Sequence, residues 1–342
     1  MAGQVTTLKE IAARCGCSVA TVSKALNAMP DISPETAKRI RAIADEMGYI
    51  PNAAARTLKT NRSHTIALLL FLRDESVWKH DYFARVAEGV QSVTERAGYD
   101  ITPVTCSLPG MAGRYVDYCR HRGYDGVIVM SGFFNGAELM ELINSEIPLV
   151  TIDYAFHHRG AVLSDNASGI NDLMEFIYGR GHRRIAYIYG EDSSVSQTRL
   201  AAFYNACQKH GLTVPDAYVK RALYRDHASS AQATRELLSL REPPTCILYP
   251  DDYACIGGVH EIQSMGLRVP QDVSVVGYDG IPLADLIRPR LSTLRQDAEG
   301  VGQNAGRLIL KAIESPKAFI PQHIMLPGRV VEGETVRDLT LG

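Results

Sequence analysis

The stretch CGCSVATVSKALN, residues 15–27, contains residue types that suggest two different chemistries. Cys15 and Cys17 are one residue apart, a spacing that suggests a metal or redox site. No His and no second cysteine pair lies close enough in the sequence to complete the four ligands of a zinc site. We therefore interpret both cysteines as small, partly buried packing residues and expect neither a metal nor a cofactor.

Three short helices are predicted around this stretch, within the first 48 residues. Thr7 and Glu10 form a capping box that opens the first helix, and Gly16 ends it. Ser18 caps the second helix, and a serine followed by a proline at residues 33–34 begins the third. Two short helices separated by a tight turn with a glycine are typical of a helix-turn-helix.

The second helix combines a buried face with a polar one that suits a nucleic acid. Its buried stripe is predicted to include Val19, Val22 and Leu26. The outward residues, which would face base edges in a major groove, are Ser18, Val19, Ala20, Ser23, Lys24 and Asn27. Lys24 can donate to guanine O6 or N7. The residues that suit phosphate oxygens are Thr6, Thr21, Ser23 and Asn27. The alternative is an amphipathic helix with an idle polar face.

Residues 51–62 predict a hinge that becomes helical only against a partner. Asn52 caps about two turns of alanine-rich sequence, a length that is marginal for an isolated helix. Leu58 is apolar and stands beside Arg56 and Lys59. Proteins that kink DNA from the minor groove push an apolar wedge of this kind between base steps.

This head resembles the DNA-binding head of the LacI/GalR family of bacterial transcriptional repressors. The resemblance rests on TLKEIAARCGCSVATVSKALN, SPETAKRI and GYIPNAAARTLKT. It implies that the second helix reads the major groove and that Val19, Ala20 and Lys24 set operator choice. It also implies that the hinge folds on specific DNA and that Leu58 intercalates at the centre of a palindromic operator. The predicted DNA contacts from the hinge region are Tyr49, Asn52, Ala55, Arg56, Leu58 and Lys59.

From residue 64 onward, apolar strands alternate with helical segments. The predicted strands lie at 65–71, 126–130, 149–153, 185–189, 245–249 and 273–277. Their alternation with helices indicates parallel sheets, and their number exceeds one comfortable sheet, so we expect two doubly wound subdomains. The stretches SDNASG, SQTRLAAF and PRLSTLRQD resemble the family's effector-binding core. That core is similar to periplasmic binding proteins, which have two lobes and a ligand between them.

The predicted domains are a helix-turn-helix domain at 1–50, a hinge at 51–62 and an effector-binding and dimerisation core at 63–342. We place the N-subdomain at about 63–163 plus 294–321, and the C-subdomain at about 164–293 plus 322–342. The chain changes halves near 163–166. The C-terminus has no leucine heptads, so we expect a homodimer and not a coiled-coil tetramer.

Candidate effector contacts follow the ends of predicted strands, where ligands of open α/β sheets bind. Asp279 can accept two hydroxyls or an amine, and Arg199 offers a planar fork of donors. The resemblance implies that both contact the effector. Asp153 is either ligand-facing or structural. Asp251 begins a DD pair where the family has Asn before Asp, and this extra charge indicates a changed effector preference.

Three aromatic residues are further candidates. Tyr82 and Phe83 match family positions that present aromatic faces to a ring or a sugar. Trp78, the single tryptophan, either stacks on the ligand or lies at the surface. The resemblance favours a sugar or sugar phosphate as the small-molecule effector, with a nucleoside or purine as the runner-up.

Charge and composition agree with a cytoplasmic DNA-binding protein. Residues 1–62 hold nine Lys and Arg against five acidic residues, whereas the whole chain has a net charge of −2. A basic head on an acidic body is expected when only the head touches a polyanion. Seven scattered cysteines fit reduced thiols, and no apolar run is long enough to span a membrane. We expect a bacterial cytoplasmic protein, associated with the nucleoid when it is bound to DNA.

The function predicted from the sequence is a ligand-responsive transcriptional regulator, most simply a repressor. A transport receptor would need a signal peptide and no basic head. An enzyme would need a catalytic constellation, and none of the usual motifs is present. We therefore expect double-stranded palindromic operator DNA and a small molecule as partners, and no catalytic activity.

Overall fold

The computed structural model describes residues 6–26, 29, 31–49, 62–70, 80–104, 110–111, 113–131, 134 and 136–341. The chain divides into two compact units, Met1–Ser63 and His64–Gly342. In the described ranges, no helix combines the length and apolar character needed to cross a bilayer.

The first unit, which we call the head, contains helices α1 (Leu8–Cys15), α2 (Val19–Leu26) and α3 (Pro34–Glu46). The predicted capping box is present, because Glu10 N–H donates to Thr7 Oγ1 and Thr7 N–H donates to Glu10 Oε2. Gly16 ends α1 with φ of 64°, in the left-handed region that favours glycine. The start of α2 is capped as predicted, with Thr21 N–H donating to Ser18 Oγ at 3.0 Å.

The small core of the head decides which residues of α2 point outward. Val22 and Ala25 are fully buried, whereas Val19 is 41% exposed and Leu26 is only partly buried. The prediction that the buried stripe includes Val19 is therefore wrong. Ala25 packs inward because positions three apart on a helix share a face. Cys15 is buried and Cys17 partly buried in the same core, and burial raises the pKa of the Cys15 thiol.

The second unit, the core, contains two six-stranded sheets. The strands of the first sheet are β1 (Thr65–Leu70), β2 (Asp100–Val104), β3 (Gly126–Ser131), β4 (Leu149–Ile152), β5 (Gly160–Ser164) and β11 (His323–Leu326), in the order β11-β5-β4-β3-β1-β2. Those of the second are β6 (Ile185–Tyr189), β7 (Val219–Arg221), β8 (Cys246–Leu248), β9 (Ser274–Asp279), β10 (Thr293–Arg295) and β12 (Arg329–Val331), in the order β12-β10-β9-β8-β6-β7. All pairs are parallel except β10–β12. Each sheet, with its packed helices, forms one lobe.

Helices connect the strands as a doubly wound fold requires. They are α4 (Asp81–Thr94), α5 (Tyr115–Arg122), α6 (Ala137–Ile143), α7 (Asn166–Gly179), α8 (Ser194–Lys209), α9 (His227–Leu238), α10 (Asp252–Ser264), α11 (Pro282–Leu286) and α12 (Ala298–Glu314). Two short 3₁₀ turns lie at Glu95–Ala97 and Asp216–Tyr218. The predicted fold class is confirmed.

The chain passes between the lobes three times, and two of the predicted subdomain boundaries are wrong. The first passage, from β5 into α7, lies where the sequence places it. Strand β10 belongs to the second sheet, although we expected residues 294–321 in the N-subdomain. Strand β11 belongs to the first sheet, although we expected residues 322–342 in the C-subdomain. Strand β5 would otherwise be the unpaired edge of the first sheet, and β11 pairs with it.

Helix α12 follows the second passage and packs on the first lobe through glycines. A Cβ atom at Gly302 would lie 2.0 Å from the Val86 carbonyl oxygen of α4, and one at Gly89 would lie 2.3 Å from the Glu299 carbonyl oxygen. Only glycine allows backbones to approach this closely. Helix α12 therefore packs on the first lobe, although it directly follows strand β10 of the second lobe.

Candidate functional sites

The outward face of α2 is the candidate reading surface of the head. Ser18, Val19, Ala20 and Lys24 are exposed, while Thr21 and Ser23 are partly buried. Ser18 Oγ and Thr21 Oγ1 share a hydrogen bond of 2.9 Å in addition to the helix cap. This surface thus combines two small apolar side chains, several hydroxyls and one cation. Such groups can contact thymine methyl groups, phosphates and guanine, respectively.

Two predicted DNA contacts of the head also take part in its own fold. Thr6 Oγ1 donates to the Met47 carbonyl oxygen at 2.7 Å, so its hydroxyl proton ties the start of the head to the end of α3. Tyr49 N–H donates to the Ala44 carbonyl oxygen at 2.9 Å, and its partly buried ring packs against the head core. The Thr6 contact could not be seen in the sequence, because only the packing of α3 brings Thr6 and Met47 together. The Tyr49 hydrogen bond is local and closes the C-terminal end of α3.

Several predicted contacts lie outside the described residues. In the head and hinge these are Asn27, Asn52, Ala55, Arg56, Leu58 and Lys59, and in the core it is Trp78. Their roles stay predictions.

In the core, polar side chains gather where strands of both sheets end and the two lobes face each other. Asp153 directly follows β4 of the first sheet, and Asp279 is the last residue of β9 in the second. Both have positive φ, 57° and 101°, which is uncommon for residues other than glycine. Such backbone strain is found where the surrounding structure holds a functional side chain in place.

Arg199 of α8 is the buried cation of this cleft. It is only 4% exposed, Nε donates to Asn166 Oδ1 at 2.7 Å, and Nη1 donates to the Pro250 carbonyl oxygen at 3.0 Å. Its guanidinium carbon lies 3.5 Å from the centre of the Tyr278 ring. Burial acts against the charge, but the rings of Tyr278 and Tyr224 and the carboxylate of Asp279 raise the pKa of Arg199 above its ordinary value. These contacts hold the guanidinium in one orientation inside the second lobe.

Tyr82 and Asp153 form a second part of the same cluster. Tyr82 OH lies 3.3 Å from Asp153 Oδ2 and 3.1 Å from Ser164 Oγ, and Ser164 N–H donates to Asp153 Oδ1 at 2.7 Å. Burial raises the pKa of the Asp153 carboxyl above its ordinary value, while the hydrogen bond from Ser164 opposes this shift. Phe83 is partly buried, and its ring meets that of Tyr82 edge-on at 5.2 Å.

Asp279 has a partner that sequence reasoning missed. Gln296 Nε2 donates to Asp279 Oδ1 at 2.7 Å, and Gln296 is 6% exposed. Gln296 lies just beyond β10, within the stretch PRLSTLRQD that carries the family resemblance, and this motif was the signal that could have identified it. Burial raises the pKa of Asp279 to about 7, although the Arg199 charge acts in the opposite direction.

This raised pKa predicts how the stability of the core depends on pH. Between about pH 4 and pH 7, folded Asp279 keeps a proton that the unfolded chain loses, so the free energy of unfolding falls as the pH rises. The variant Asp279→Asn lacks this carboxyl and tolerates positive φ. We expect its stability relative to wild type to rise by about 3 kcal/mol as the pH increases from 5 to 8. Urea unfolding followed by circular dichroism measures the difference, and parallel pH profiles of the two proteins would contradict it.

The two aspartates of the DD pair serve the fold of the second lobe. Asp251 caps α10: Oδ1 accepts from Ala254 N–H at 2.8 Å, and Oδ2 accepts from Arg225 N–H at 2.7 Å. Asp252 is fully buried and accepts hydrogen bonds from Ile281 N–H and Thr293 Oγ1. Burial raises the pKa of both carboxyls. Since both oxygens of Asp251 bind backbone amides, its contact with the effector stays a prediction.

One direct contact between the lobes lies beside this cluster. Tyr253 OH of α10 donates to Asp81 Oδ2 of α4 at 2.6 Å, and the Arg225 guanidinium lies 4.8 Å from the centre of the Tyr253 ring. Asp81 immediately precedes Tyr82, and Tyr253 follows the DD pair. The contact therefore joins the two segments that carry candidate effector residues.

A cavity of about 320 Å³ opens between the lobes next to Asp153. Its wall includes Ser164 and Asn166 at the first passage and Ser194 and Thr198 of α8. A site of this volume accommodates a small organic molecule. Among the predicted effector residues that the structure describes, Asp153 lines the cavity, whereas the others do not belong to its wall: Tyr82, Phe83, Arg199, Asp251 and Asp279. Arg199 is hydrogen-bonded to Asn166, which does line it.

Comparisons with known proteins match both units. The family model described as bacterial regulatory proteins, lacI family, matches residues 7–52, and the periplasmic binding protein-like domain matches residues 174–336. A curated relative, the probable HTH-type transcriptional repressor ExuR of Bacillus subtilis (strain 168), is 32% identical over 98% of this chain and 100% of its own length.

Two solved structures have the same fold. The lac repressor dimer bound to operator and the anti-inducer ONPF aligns with a TM-score of 0.82 at 22% identity, covering 98% of this chain and 100% of that one. The complex of the transcriptional regulator CelR with cellobiose aligns with a TM-score of 0.73 at 24% identity, covering 96% and 99%. With the identity and coverage of the Bacillus relative, these matches confirm the family resemblance. The chain belongs to the lacI family of bacterial regulatory proteins, which are transcriptional regulators and not enzymes.

Proposed function

We propose that this protein is a repressor that binds a palindromic operator as a homodimer and changes its DNA affinity when a small molecule enters the cleft between its lobes. The observation that carries the proposal is the buried Arg199 fork, which donates to Asn166 and whose charge acts on the pKa of both Asp153 and Asp279. Burying charged side chains this deeply costs free energy of folding. Buried charged clusters with shifted pKa values are concentrated at functional sites, which supports a ligand-binding role here.

On DNA, α2 enters the major groove with Val19, Ala20 and Lys24 facing base edges. Their exposure on the helix, opposite the buried Val22 and Ala25, supports this assignment. The hinge then lies in the minor groove and inserts Leu58 at the central step of the palindrome. The operator-bound lac repressor dimer supports the same assembly here, and we place the protein at nucleoid DNA in the bacterial cytoplasm.

In the cleft, a sugar or sugar derivative is the effector that the donors and acceptors support best. Carboxylates and a guanidinium form hydrogen bonds with several hydroxyls at once. The cellobiose complex of CelR supports this class. The runner-up is a nucleoside or purine, for which the aromatic side chains would be the main contacts.

Gel shifts test the proposal. A library of palindromic duplexes with a central CpG is offered to the purified protein, with and without sugars, sugar phosphates, nucleosides and purines at millimolar concentration. We expect one palindrome family to be selected, and one ligand class to change its affinity and to raise the melting temperature. Absence of salt-dependent specific binding to any palindrome would contradict the proposal.

The contact between Tyr253 and Asp81 predicts how the lobes are coupled to the effector. The variant Tyr253→Phe keeps the ring under Arg225 but removes the hydrogen bond across the lobes. A hydrogen bond to a charged group contributes about 1.5 kcal/mol, so we expect the effector Kd to rise roughly tenfold. Titration calorimetry with the identified effector measures it.

Tyr218→Phe is the matched control, because Tyr218 OH donates to the Glu242 carbonyl oxygen within one lobe. If both variants bind the effector equally well, the contact does not stabilise the ligand-binding arrangement of the lobes.

A further inference from the structure

Helix α2 carries a single charged side chain, and that charge is neutralised within the head. The helix reads VATVSKAL, so Lys24 is its only cation. Lys24 Nζ forms an ion pair with Oδ2 of Asp31, a residue of the turn that precedes α3. The two side chains are 50% and 52% exposed, so the pair lies at the surface where DNA is expected to approach.

Other acidic side chains of the head are engaged elsewhere. Glu10 belongs to the capping box of α1, and Glu46 forms an ion pair with Arg14 at 2.8 Å between α1 and α3. Glu35 lies in the first turn of α3, where an acid favours the helix dipole. Among the ion pairs between described residues of the head, that of Asp31 reaches α2, and that of Glu46 does not. The hydrogen bond from Lys24 lowers the pKa of Asp31, so its carboxylate is charged at neutral pH.

The Asp31 carboxylate beside Lys24 should affect binding to specific and to non-specific DNA differently. Non-specific binding comes from lysines and arginines that meet phosphates on any sequence. A lysine already paired with a carboxylate gains less from a phosphate, and the carboxylate repels that phosphate. When a guanine lies opposite Lys24 in the major groove, its O6 and N7 accept hydrogen bonds from Lys24 in place of the Asp31 carboxylate. These acceptors carry no full negative charge, so they repel Asp31 less than a phosphate does.

We propose that Asp31 is a specificity-determining residue, which holds Lys24 in an internal ion pair and thereby weakens binding to non-specific DNA more than binding to the operator. The proposal rests on the proposed function, because it takes α2 as the reading helix. The role of Asp31 is to exclude wrong sequences, since its carboxylate can accept hydrogen bonds but cannot pair with a phosphate.

The variant Asp31→Asn tests it on the full-length protein. The probes are the palindrome selected from the CpG-centred library and a guanine-free duplex of alternating A and T. We expect affinity for the guanine-free duplex to rise about tenfold and affinity for the palindrome to rise less, so the ratio of the two falls. Each of the two Lys24 side chains released in the dimer contacts one more phosphate, so the salt dependence of non-specific binding should steepen by about 1.8 in the log–log slope.

Glu46→Gln is the matched control, because it makes the same change in net charge and also frees a cation, Arg14, from an exposed ion pair of the head. A second test places Asp31→Asn in a Lys24→Gln background, where its effect should disappear if Asp31 acts through Lys24. Melting curves by circular dichroism verify that each variant is folded.

Three outcomes would overturn the proposal. They are an unchanged ratio of specific to non-specific affinity, an equal change in Glu46→Gln, and an effect of Asp31→Asn that persists without Lys24. If no palindrome is selected by the wild-type protein, the proposed function fails. The comparison of Asp31→Asn with Glu46→Gln on the guanine-free duplex then still tests whether Asp31 weakens non-specific binding through Lys24, and equal changes in the two variants would overturn that part.

Discussion

Replacing Arg199 with methionine should abolish the response to the effector. The variant removes the fork that donates to Asn166 and to the Pro250 carbonyl oxygen, and it leaves Asp153 and Asp279 without their buried counter-charge. Truncating one partner of a buried, hydrogen-bonded charge pair at a binding interface costs about 3 kcal/mol of binding free energy, which corresponds to roughly a 100-fold rise in the effector Kd. Calorimetry measures effector affinity, and gel shifts with and without effector measure the response of DNA binding.

Two controls distinguish an effect on effector binding from an effect on the stability of the fold. Arg199→Lys keeps the charge but loses the planar fork, so effector affinity should still fall while the core remains more stable than in Arg199→Met. Arg183→Met removes an arginine that lies over the ring of Tyr178 in the same lobe, 3.7 Å from the ring centre, and should leave the response intact. If Arg199→Met binds the effector like wild type, the buried cluster is structural only.

Replacing Leu58 with alanine should weaken operator binding strongly and leave non-specific binding nearly unchanged. The proposed wedge acts only where the hinge folds into the minor groove of the operator, so its loss does not affect the phosphate contacts that bind any sequence. A Leu→Ala change at a fully packed site costs about 3 kcal/mol, and we therefore expect operator affinity to fall about 100-fold. Gel shifts on the selected palindrome and on its scrambled duplex measure both affinities.

Leu58→Met is the matched variant for this experiment, because methionine keeps a similar apolar volume and should retain most of the operator affinity. Equal losses of affinity for the palindrome and the scrambled duplex in Leu58→Ala would show that Leu58 is not a wedge.

Together, these experiments test the two halves of the proposed mechanism independently. Arg199→Met acts in the core and Leu58→Ala in the hinge, and each leaves the other's site chemically unchanged. A repressor that responds to a ligand needs both sites and an energetic coupling between them. The double variant should therefore bind DNA like Leu58→Ala alone, with or without the effector.

Patterns in consecutive residues were enough to predict the local elements. The capping box of Thr7 and Glu10, the glycine end of α1 and the serine starts of α2 and α3 are all where the sequence places them. The buried strands of the core were also predictable, because a continuous apolar run is visible within a few residues. Helix caps and hydrophobic periodicity depend on residues a few positions apart, so helices and strands can be predicted directly from the sequence.

The lobe boundaries could not be predicted in the same way. His323–Leu326 and Thr293–Arg295 are both short strands, and nothing in either segment indicates which sheet it joins. His323–Leu326 joins the edge left open by a strand more than a hundred residues earlier, as in the pairing of His323 with Ala161, whereas Thr293–Arg295 pairs with the preceding strand β9. Strand pairing at this distance is a property of the packed core.

The family, the two-unit organisation, the candidate reading helix and the strand-end positions of Asp153 and Asp279 can be predicted from residue patterns. The partners of these residues depend on packing: Gln296 lies beside Asp279, Asn166 beside Arg199, Tyr253 against Asp81 and Asp31 against Lys24. Motifs are formed by residues a few positions apart, whereas the partner of a polar side chain is brought to it by distant elements. Sequence motifs therefore predict where a site lies, and packing decides which side chains complete it.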